Sequence, residues 1–309
     1  MNNIYRIDAA TAFFEAMLAQ VYKVRDKESG FRGGPAYYMT KGLNQKGIGY
    51  LFAVLMTITF GIVFVMLQSN TIANAYDEAF RVNTTVSGII VAILVGLVIF
   101  GGAKSIAKVA TVIVPVMAAL YLILVIVVLV MNYDMILPML QTIVMNAFGF
   151  EEASGGAIGA AIINGFQREL LSNEAGMGSA PNAAASAAVR HPVQQGLIQS
   201  LGVYFDTIIV CTATAIVILM YTDLSFGAIL GVQLVWTLAD LFMAVLAIIN
   251  LMMVVALSPL VFELMRDYNA QKDRGDSPIF YTKNITYPLP EDNEWGDEDY
   301  RKYSPKEDK

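Results

Sequence analysis

The side chains best suited to binding a polar solute stand in the stretch Leu170 to Ala188, LLSNEAGMGSAPNAAASAA. It combines a carboxylate, amides and hydroxyls with the helix-weakening residues Gly176, Gly178 and Pro181. Because a helix interior loses about 1 kcal/mol for Gly and about 3 kcal/mol for Pro relative to Ala, a break is predicted over 172–182. Open backbone at membrane depth would line a cavity and bind an ion or polar solute. A cytoplasmic loop before a small-residue helix is an equal alternative from this stretch alone.

The composition indicates a polytopic membrane protein. Of the 309 residues, 56% are hydrophobic and only 15% are charged, whereas soluble domains carry roughly 25% charged residues. A single cysteine, Cys211, excludes an intramolecular disulfide, and a single histidine disfavours a zinc cluster. The sequence has no paired-histidine metal motif, nucleophile elbow or phosphate-binding loop, which disfavours an intramembrane enzyme without eliminating that alternative.

The hydrophobic pattern predicts seven membrane crossings. Their approximate ranges are 8–24, 47–76, 86–102, 109–131, the broken unit 154–188, 193–221 and 231–262. Residues 135–150 are too short to cross and predict an interfacial or re-entrant helix. The basic loops all fall on one side, which places the amino end outside and the carboxyl end in the cytoplasm. Residues 1–270 are predicted to form the membrane domain and 271–309 a disordered cytoplasmic tail.

Ionisable residues within the predicted spans are candidates for function, because burying a charge in a membrane is costly. They are Glu15, Glu174, Asp206 and Asp240, with Arg168 and Glu169 as a structural pair. For Glu15, which lies in the middle of its short span, solvation at the cytoplasmic interface is the favoured interpretation, and the same alternative stays open for Asp206. Asp240 lies deep in its span, which favours a position facing the helix bundle.

Several motifs resemble those of the sodium:alanine symporter family. SNEAGMGSAPNAAA is similar to the family hallmark NEAGxGSAP, and FRGGPAYYMTKGL, LQSNTIA, GGAKSIAKV and QGLIQSLGVYFDTIIVCTATA agree in order and spacing. The resemblance covers nearly all of residues 9–270. It implies an all-α inverted-repeat transporter fold like that of the amino acid–polyamine–organocation superfamily. It also implies sodium-coupled import of alanine or glycine across the cell membrane, with no cofactor apart from the coupling ion.

The resemblance further implies substrate or ion contacts at nine positions. These are Gln68, Asn70, Asn173, Glu174, Gly176, Ser179, Asp206, Thr207 and Asp240. In this mechanism, the backbone dipoles of broken helices meet the charged ends of the amino acid, and oxygen atoms hold sodium. The resemblance does not assign the sodium ligands individually.

Two parts of the family pattern have no counterpart here. Members of the family open with two further helices that carry a GTGNIAG stretch, and they have two more helices between the equivalents of Tyr221 and Val235. The last span also has Met243 and Ile249 where asparagine and proline are expected. We therefore expect a partial inverted-repeat fold. Because the missing helices would form one wall of the site, the isolated chain is expected not to catalyse sodium-dependent alanine uptake, and the alternative to a symporter is an inactive, truncated remnant.

Overall fold

The computed structural model describes residues 4–26, 30–147, 173–220, 233–290 and 293–295, and this part of the chain is almost entirely helical. In chain order the elements are α1 (Ile4–Val21), a hairpin of β1 (Val24–Asp26) and β2 (Gly30–Arg32), α2 (Pro35–Tyr37) with a π-helical continuation (Tyr38–Gly42), α3 (Lys46–Ile58), a π-helical turn (Thr59–Val63), α4 (Phe64–Phe80), α5 (Thr84–Ile99), α6 (Gly102–Met131), α7 (Tyr133–Ala147), α8 (Ser179–Ala185), α9 (Pro192–Phe205), a π-helical segment (Asp206–Cys211), α10 (Thr212–Met220), α11 (Gln233–Ala256), α12 (Ser258–Asp273) and a short 3₁₀ turn (Thr282–Asn284).

Several of these helices can cross a bilayer. Within the described ranges, four are long and apolar enough: Lys46–Phe80, Lys108–Met131, Pro192–Val217 and Ala239–Ala256. Helix α5 is apolar but shorter. A membrane chain must satisfy its backbone groups internally, and continuous helices do so. The chain is thus an all-α, multi-pass membrane protein. The predicted segment 154–166 and the Arg168–Glu169 pair lie outside the described residues.

The chain divides into two compact units, and α1 is central to the first. That unit comprises Met1–Thr57, Phe166–Asp206 and Phe242–Lys309. Helix α1 packs along α9 and α8, and small residues let the backbones approach closely. At Gly196 of α9, a Cβ atom would lie 2.9 Å from both Phe13 and Met17. Only glycine therefore fits at this helix contact.

The second unit comprises Ile58–Gly165 and Thr207–Leu241. Within it, α4 packs against α5, α5 against α6, and α10 against both α6 and α7. The hydroxyls of Tyr121 on α6 and Thr214 on α10 form a hydrogen bond. Polar side chains that bond across helices satisfy each other in an apolar environment, so this pair links α6 to α10.

The predicted last span, 231–262, is not one continuous helix. Helix α11 ends at Ala256, and α12 begins at Ser258 with Pro259 in its first turn. Proline cannot donate the backbone hydrogen bond that would continue α11, but it fits the first turn of a new helix. The chain therefore passes from the membrane-type helix α11 to the more polar helix α12 at this point.

The structure also differs from the predicted disordered tail 271–309. Residues through 290, and again 293–295, have defined positions, and Phe280 and Trp295 are only 1% and 3% exposed. The Trp295 indole Nε1 donates to the Gln20 carbonyl at 2.8 Å, and the Gln271 side chain bonds both backbone groups of Ile279 at 2.8 Å. The high charge of the tail predicted disorder, but the tail also contains aromatic residues that are buried in the folded protein.

Candidate functional site

The helix break predicted over 172–182 is confirmed, but it is shorter than predicted. Residues 174–178 are non-helical, and α8 already begins at Ser179. Pro181 lies in the first turn of α8, where backbone N–H groups lack intrahelical partners anyway, so its missing donor costs little there. The glycines, rather than the proline, therefore open the backbone.

A tight turn forms the centre of this broken segment, which we define as residues 174–178. The Met177 N–H donates to the Glu174 carbonyl at 3.3 Å, and Gly176 at the third position of the turn has φ of 83°. A type II turn requires a positive φ at that position, which favours glycine. Glu174 itself has φ of 52°. A non-glycine residue in this region is uncommon and costs free energy, so the surrounding contacts must hold it there.

Two helices bind the backbone of Gly176 through side chains. The Gly176 N–H donates to Glu15 Oε2 of α1 at 3.1 Å. The Gly176 carbonyl accepts from Asn250 Nδ2 of α11 at 2.8 Å. An unsatisfied buried backbone group costs about 1–3 kcal/mol, so these two bonds replace those that the broken helix cannot supply.

The same side chains also bond to one another. Asn250 Nδ2 donates to Glu15 Oε1 in a short hydrogen bond, and the Tyr38 hydroxyl donates to Asn250 Oδ1 in another. All three residues are 0% exposed. The amide of Asn250 can face only one way, because a flipped amide would set its oxygen against the Glu15 carboxylate. We call Glu15, Asn250 and Tyr38 the clamp.

The favoured interpretation of Glu15 as a solvated interfacial residue is therefore wrong. The side chain is fully buried, and the polar groups of the clamp and of Gly176 surround it. Among the described residues, no lysine or arginine forms an ion pair with it. Its position in an apolar helix was the available signal, because a carboxylate inside a membrane protein is a functional candidate by default. Nothing local in the sequence indicated Tyr38 as a partner.

The remaining polar groups of the motif surround the broken segment. Ser179 Oγ donates to Glu174 Oε2 in a short hydrogen bond, and Asn173 Nδ2 donates to Asp8 Oδ2 at 3.5 Å. Asn173, Glu174 and Ser179 are half-buried, whereas Gly176 is buried. Carboxylate and hydroxyl oxygens here are of the type that hard cations prefer. The structure thus brings four of the nine predicted site residues together.

The other five predicted residues belong to other elements, and four of them belong to the second unit. Asp206 and Thr207 begin the π-helical segment Asp206–Cys211, a deviation that often marks functional sites in helices. Gln68 and Asn70 lie on α4 in the second unit with exposed side chains, and Asn70 Oδ1 accepts from Asn74 at 2.7 Å. Asp240 also belongs to the second unit. Its Oδ1 is buried and has no hydrogen-bond partner among the described residues.

The loop before α9 is held by a buried histidine. His191 caps α9, because its Nδ1 accepts from the Val193 N–H at 3.2 Å. Its Nε2 lies 3.4 Å from Asp267 Oδ2. Burial lowers the pKa of His191 to about 4, although Asp267 opposes this shift. An accepting Nδ1 requires the neutral ring, so the geometry and the direction of the pKa shift agree.

Lys23 occupies an aromatic pocket at the end of α1. Its Nζ lies 4.2 Å from the ring centroid of Phe31 and 4.6 Å from that of Trp295, and it donates to Gln20 Oε1 at 2.7 Å. Burial lowers the pKa of Lys23 to about 8, with Glu294 acting in the opposite direction. Gln20 Nε2 in turn donates to the Ala184 carbonyl of α8 at 2.6 Å. This cluster ties α1, α8 and the carboxyl-terminal segment together.

The described residues contain no group of three or more His, Cys, Asp or Glu side chains that could hold a metal ion. Oxygen atoms of the type that hard cations prefer are present in the broken segment and its flanking side chains. Two of them, the Glu174 carboxylate and the Ser179 hydroxyl, already share a hydrogen bond.

Comparison with known proteins gives a family match along most of the chain. The family model described as "Sodium:alanine symporter family" matches residues 3–225 and 221–282. These two matching segments overlap at residues 221–225, within the interval where two family helices are expected to be missing. The match therefore includes both the broken segment and the clamp.

Individual relatives agree with the family match. The amino-acid carrier protein AlsT of Bacillus subtilis is 40% identical over 348 residues, covering 90% of this chain and 75% of the relative. The probable sodium/glutamine symporter GlnT of the same organism is 42% identical, covering 89% and 72%. The sodium/alanine symporter AgcS of Methanococcus maripaludis is 42% identical over 214 residues, covering 68% of this chain and 47% of the relative.

Proposed function

The chain belongs to the sodium:alanine symporter family, whose members are transporters rather than enzymes, and we propose that it imports alanine or glycine together with sodium ions. Amino-acid symport is the activity of the family. What we propose in addition is that the substrate is alanine or glycine and that the coupling ion is sodium. The names of its relatives include both an alanine and a glutamine symporter. The main alternative substrate is therefore an amino acid with a larger neutral side chain, such as glutamine.

The observation that supports this proposal is the broken segment and its polar surroundings. Residues 174–178 leave the helix within a buried, helical membrane unit, where irregular backbone is tolerated only if it is enclosed by protein or lines a cavity. Broken helices near the bilayer midplane are the sites where secondary transporters bind substrates and coupling ions. We propose Asn173, Glu174, Gly176 and Ser179 as the contacts of this unit, and Gln68, Asn70, Asp206, Thr207 and Asp240 as further contacts.

The proposed orientation follows from the basic loops. Lys41 lies before the first long apolar helix and Lys46 is its first residue, and Arg266, Lys272 and Arg274 lie in or next to α12. An excess of lysine and arginine marks the cytoplasmic side. We therefore place the carboxyl end in the cytoplasm and the amino end of this chain outside the cell membrane.

Uptake by the purified chain in proteoliposomes tests the proposed activity. An inward sodium gradient is expected to drive accumulation of radiolabelled alanine, and replacing sodium with potassium is expected to abolish it. Unlabelled glycine is expected to compete better than glutamine. Asn173→Ala is expected to reduce uptake, whereas Asn132→Ala, which removes a side-chain amide whose bond within the described residues is to the Val128 carbonyl, serves as the matched control.

An inactive remnant is the second candidate, and one observation favours it. The alignment with AlsT extends over 348 positions, more than the 309 residues of the chain. Part of the relative therefore has no counterpart within the aligned region, as the two meeting segments of the family match also indicate. Folded, monodisperse protein that accumulates no alanine, glycine or glutamine under a sodium gradient would support the remnant and exclude the symporter.

A further inference from the structure

We propose that Glu15 and Asn250 are positioning residues that set the geometry of the amino-acid site by holding both backbone groups of Gly176. This inference rests on the proposed function, because it assigns a role within that same site. Neither residue needs to contact the transported amino acid. They act through Gly176, whose neighbours Glu174 and Ser179 are proposed contacts.

The geometry of the hydrogen bonds supports this role. Glu15 uses one carboxylate oxygen for the Gly176 N–H and the other for Asn250. Asn250 uses one amide group to donate both to Glu15 and to the Gly176 carbonyl. The two peptide groups on either side of the Gly176 Cα are thus each fixed by a side chain, one from α1 and one from α11. Glycine has no Cβ atom and can therefore adopt many backbone conformations. The hydrogen bonds of the clamp select the one with the positive φ that Gly176 adopts.

Tyr38 is the third residue of the clamp and lies on a third element, the π-helical segment Tyr38–Gly42. Its hydroxyl donates to Asn250 Oδ1, which leaves Nδ2 pointing toward Glu15 and Gly176. Residues in a fully connected polar network specify one arrangement, whereas a half-satisfied network is costly. Movement of α1 or α11 would therefore change the conformation of the broken segment. Through the clamp, the binding site is coupled to the positions of these helices.

Complementary substitutions distinguish positioning from simple packing. Glu15→Gln would set an amide NH₂ against the NH₂ of Asn250, and Asn250→Asp would set two carboxylates together. In the double variant, the new glutamine can donate to the new aspartate while still accepting from the Gly176 N–H, but an aspartate oxygen then faces the Gly176 carbonyl, which loses its donor. We expect each single variant to raise the alanine KM about tenfold or more, corresponding to the loss of at least one buried hydrogen bond.

The double variant Glu15→Gln/Asn250→Asp restores the contact between the two side chains but not the bond to the Gly176 carbonyl. Its KM is therefore expected to lie below that of Asn250→Asp alone and above that of the unmodified protein, because residues in one network are not additive. Maximal uptake rates should change less than KM. Tyr38→Phe, which removes only the outer bond, should have a smaller effect than either single variant. Asn132→Asp is the matched control, because it makes the same chemical change at the end of α6, and it should leave KM unchanged.

Hydrogen exchange provides a readout that does not depend on transport. Peptides covering residues 173–179 should exchange faster in each single variant than in the unmodified protein, and the double variant should recover part of the protection that Asn250→Asp alone loses. If the unmodified protein accumulates no amino acid, the proposed function fails, and the exchange data alone decide the role of the clamp. If transport is normal but the singles change neither KM nor exchange, or if their effects simply add in the double variant, the clamp inference is overturned.

Discussion

Gly176 and Gly178 adopt the same left-handed backbone conformation, with φ of 83° at both positions, but their surroundings differ. A Cβ atom on Gly176 would meet only Thr11 Cγ2, at 3.6 Å. A Cβ atom on Gly178 would lie 2.5 Å from Pro35 and 2.9 Å from Phe52. At the residue scale, the broken segment therefore needs glycine for two reasons, backbone conformation at both positions and space at one.

This difference predicts the order of two alanine substitutions. Gly176→Ala should destabilise the protein by about 1–2 kcal/mol, the cost of a left-handed conformation for an L-residue. Gly178→Ala should cost a further ~1–3 kcal/mol, because the new methyl group overpacks the contact with Pro35 and Phe52. Thermal unfolding in detergent, followed by size-exclusion chromatography, measures the difference. Equal midpoints for the two variants would contradict the close contact at Gly178.

His191 predicts a pH dependence of stability at the residue scale. Its folded-state pKa of about 4 lies below the ordinary value of 6.5, so the unfolded chain binds a proton more readily. The stabilisation from neutral His191 is fully present above pH 6.5 and is lost as the pH falls toward 4. We expect the thermal midpoint to decrease across this window as the pH is lowered.

His191→Asn is the matched variant for this pH dependence. Asparagine is a good helix N-cap and can accept from the Val193 N–H, but it does not titrate. Subtracting its pH profile from that of the unmodified protein isolates the histidine contribution. Superimposable profiles between pH 4 and 6.5 would show that His191 does not titrate as its burial predicts.

At the scale of elements, the carboxyl-terminal segment 277–295 stabilises the end of α1. Trp295 packs against Phe280 with ring centroids 5.1 Å apart and also contacts Lys23. Glu294 pairs with Arg25 at 3.3 Å, but that pair is partly exposed, and exposed ion pairs contribute little. The buried aromatic contacts must therefore account for most of the attachment.

Trp295→Ala should release this segment. Truncating a buried aromatic residue costs about 3–5 kcal/mol, enough to favour local opening over the docked state. Trp295→Phe keeps an aromatic ring and removes the indole N–H that donates to the Gln20 carbonyl, a loss of about 1 kcal/mol for that bond, so it should cost less than the alanine variant. Limited proteolysis of residues 277–295 measures the opening, and cleavage should be fast for the alanine variant and slow for phenylalanine. Equal cleavage rates in all three proteins would contradict docking through Trp295.

At the scale of the whole molecule, the distribution of basic residues predicts the membrane orientation. With Cys211→Ser as background, single cysteines at Ala79 and Asp223 should react with an impermeant reagent added outside intact cells. Cysteines at Lys41 and Lys272 should react only after the membrane is opened. The physical reason is that lysine and arginine in short loops are retained on the cytoplasmic side. External labelling at Lys41 would reverse the proposed topology.

The membrane helices, the position of the break and the family could all be predicted from sequence features that act over a few residues. Long apolar runs with few charges specify helices that satisfy their own backbone groups in a membrane. Gly176 and Gly178 specify the position of the break, because their effect on the backbone is local. The NEAGMGSAP motif and its companions indicated the family, which the family match confirms.

Only the tertiary structure decided which side chains form hydrogen bonds with the backbone of the broken segment. Glu15 lies 161 residues from Gly176 and 235 residues from Asn250 along the chain, so no periodicity or spacing connects them. The sequence correctly marked Glu15 as an ionisable residue in an apolar helix, but its surroundings depended on where α11 and Tyr38 pack. The docking of Trp295 against the end of α1 could not be predicted for the same reason, because its partner Gln20 is 275 residues away along the chain. Helix propensity is read from neighbouring residues, whereas the partner of a buried polar group is set by contacts that exist only after the chain has folded.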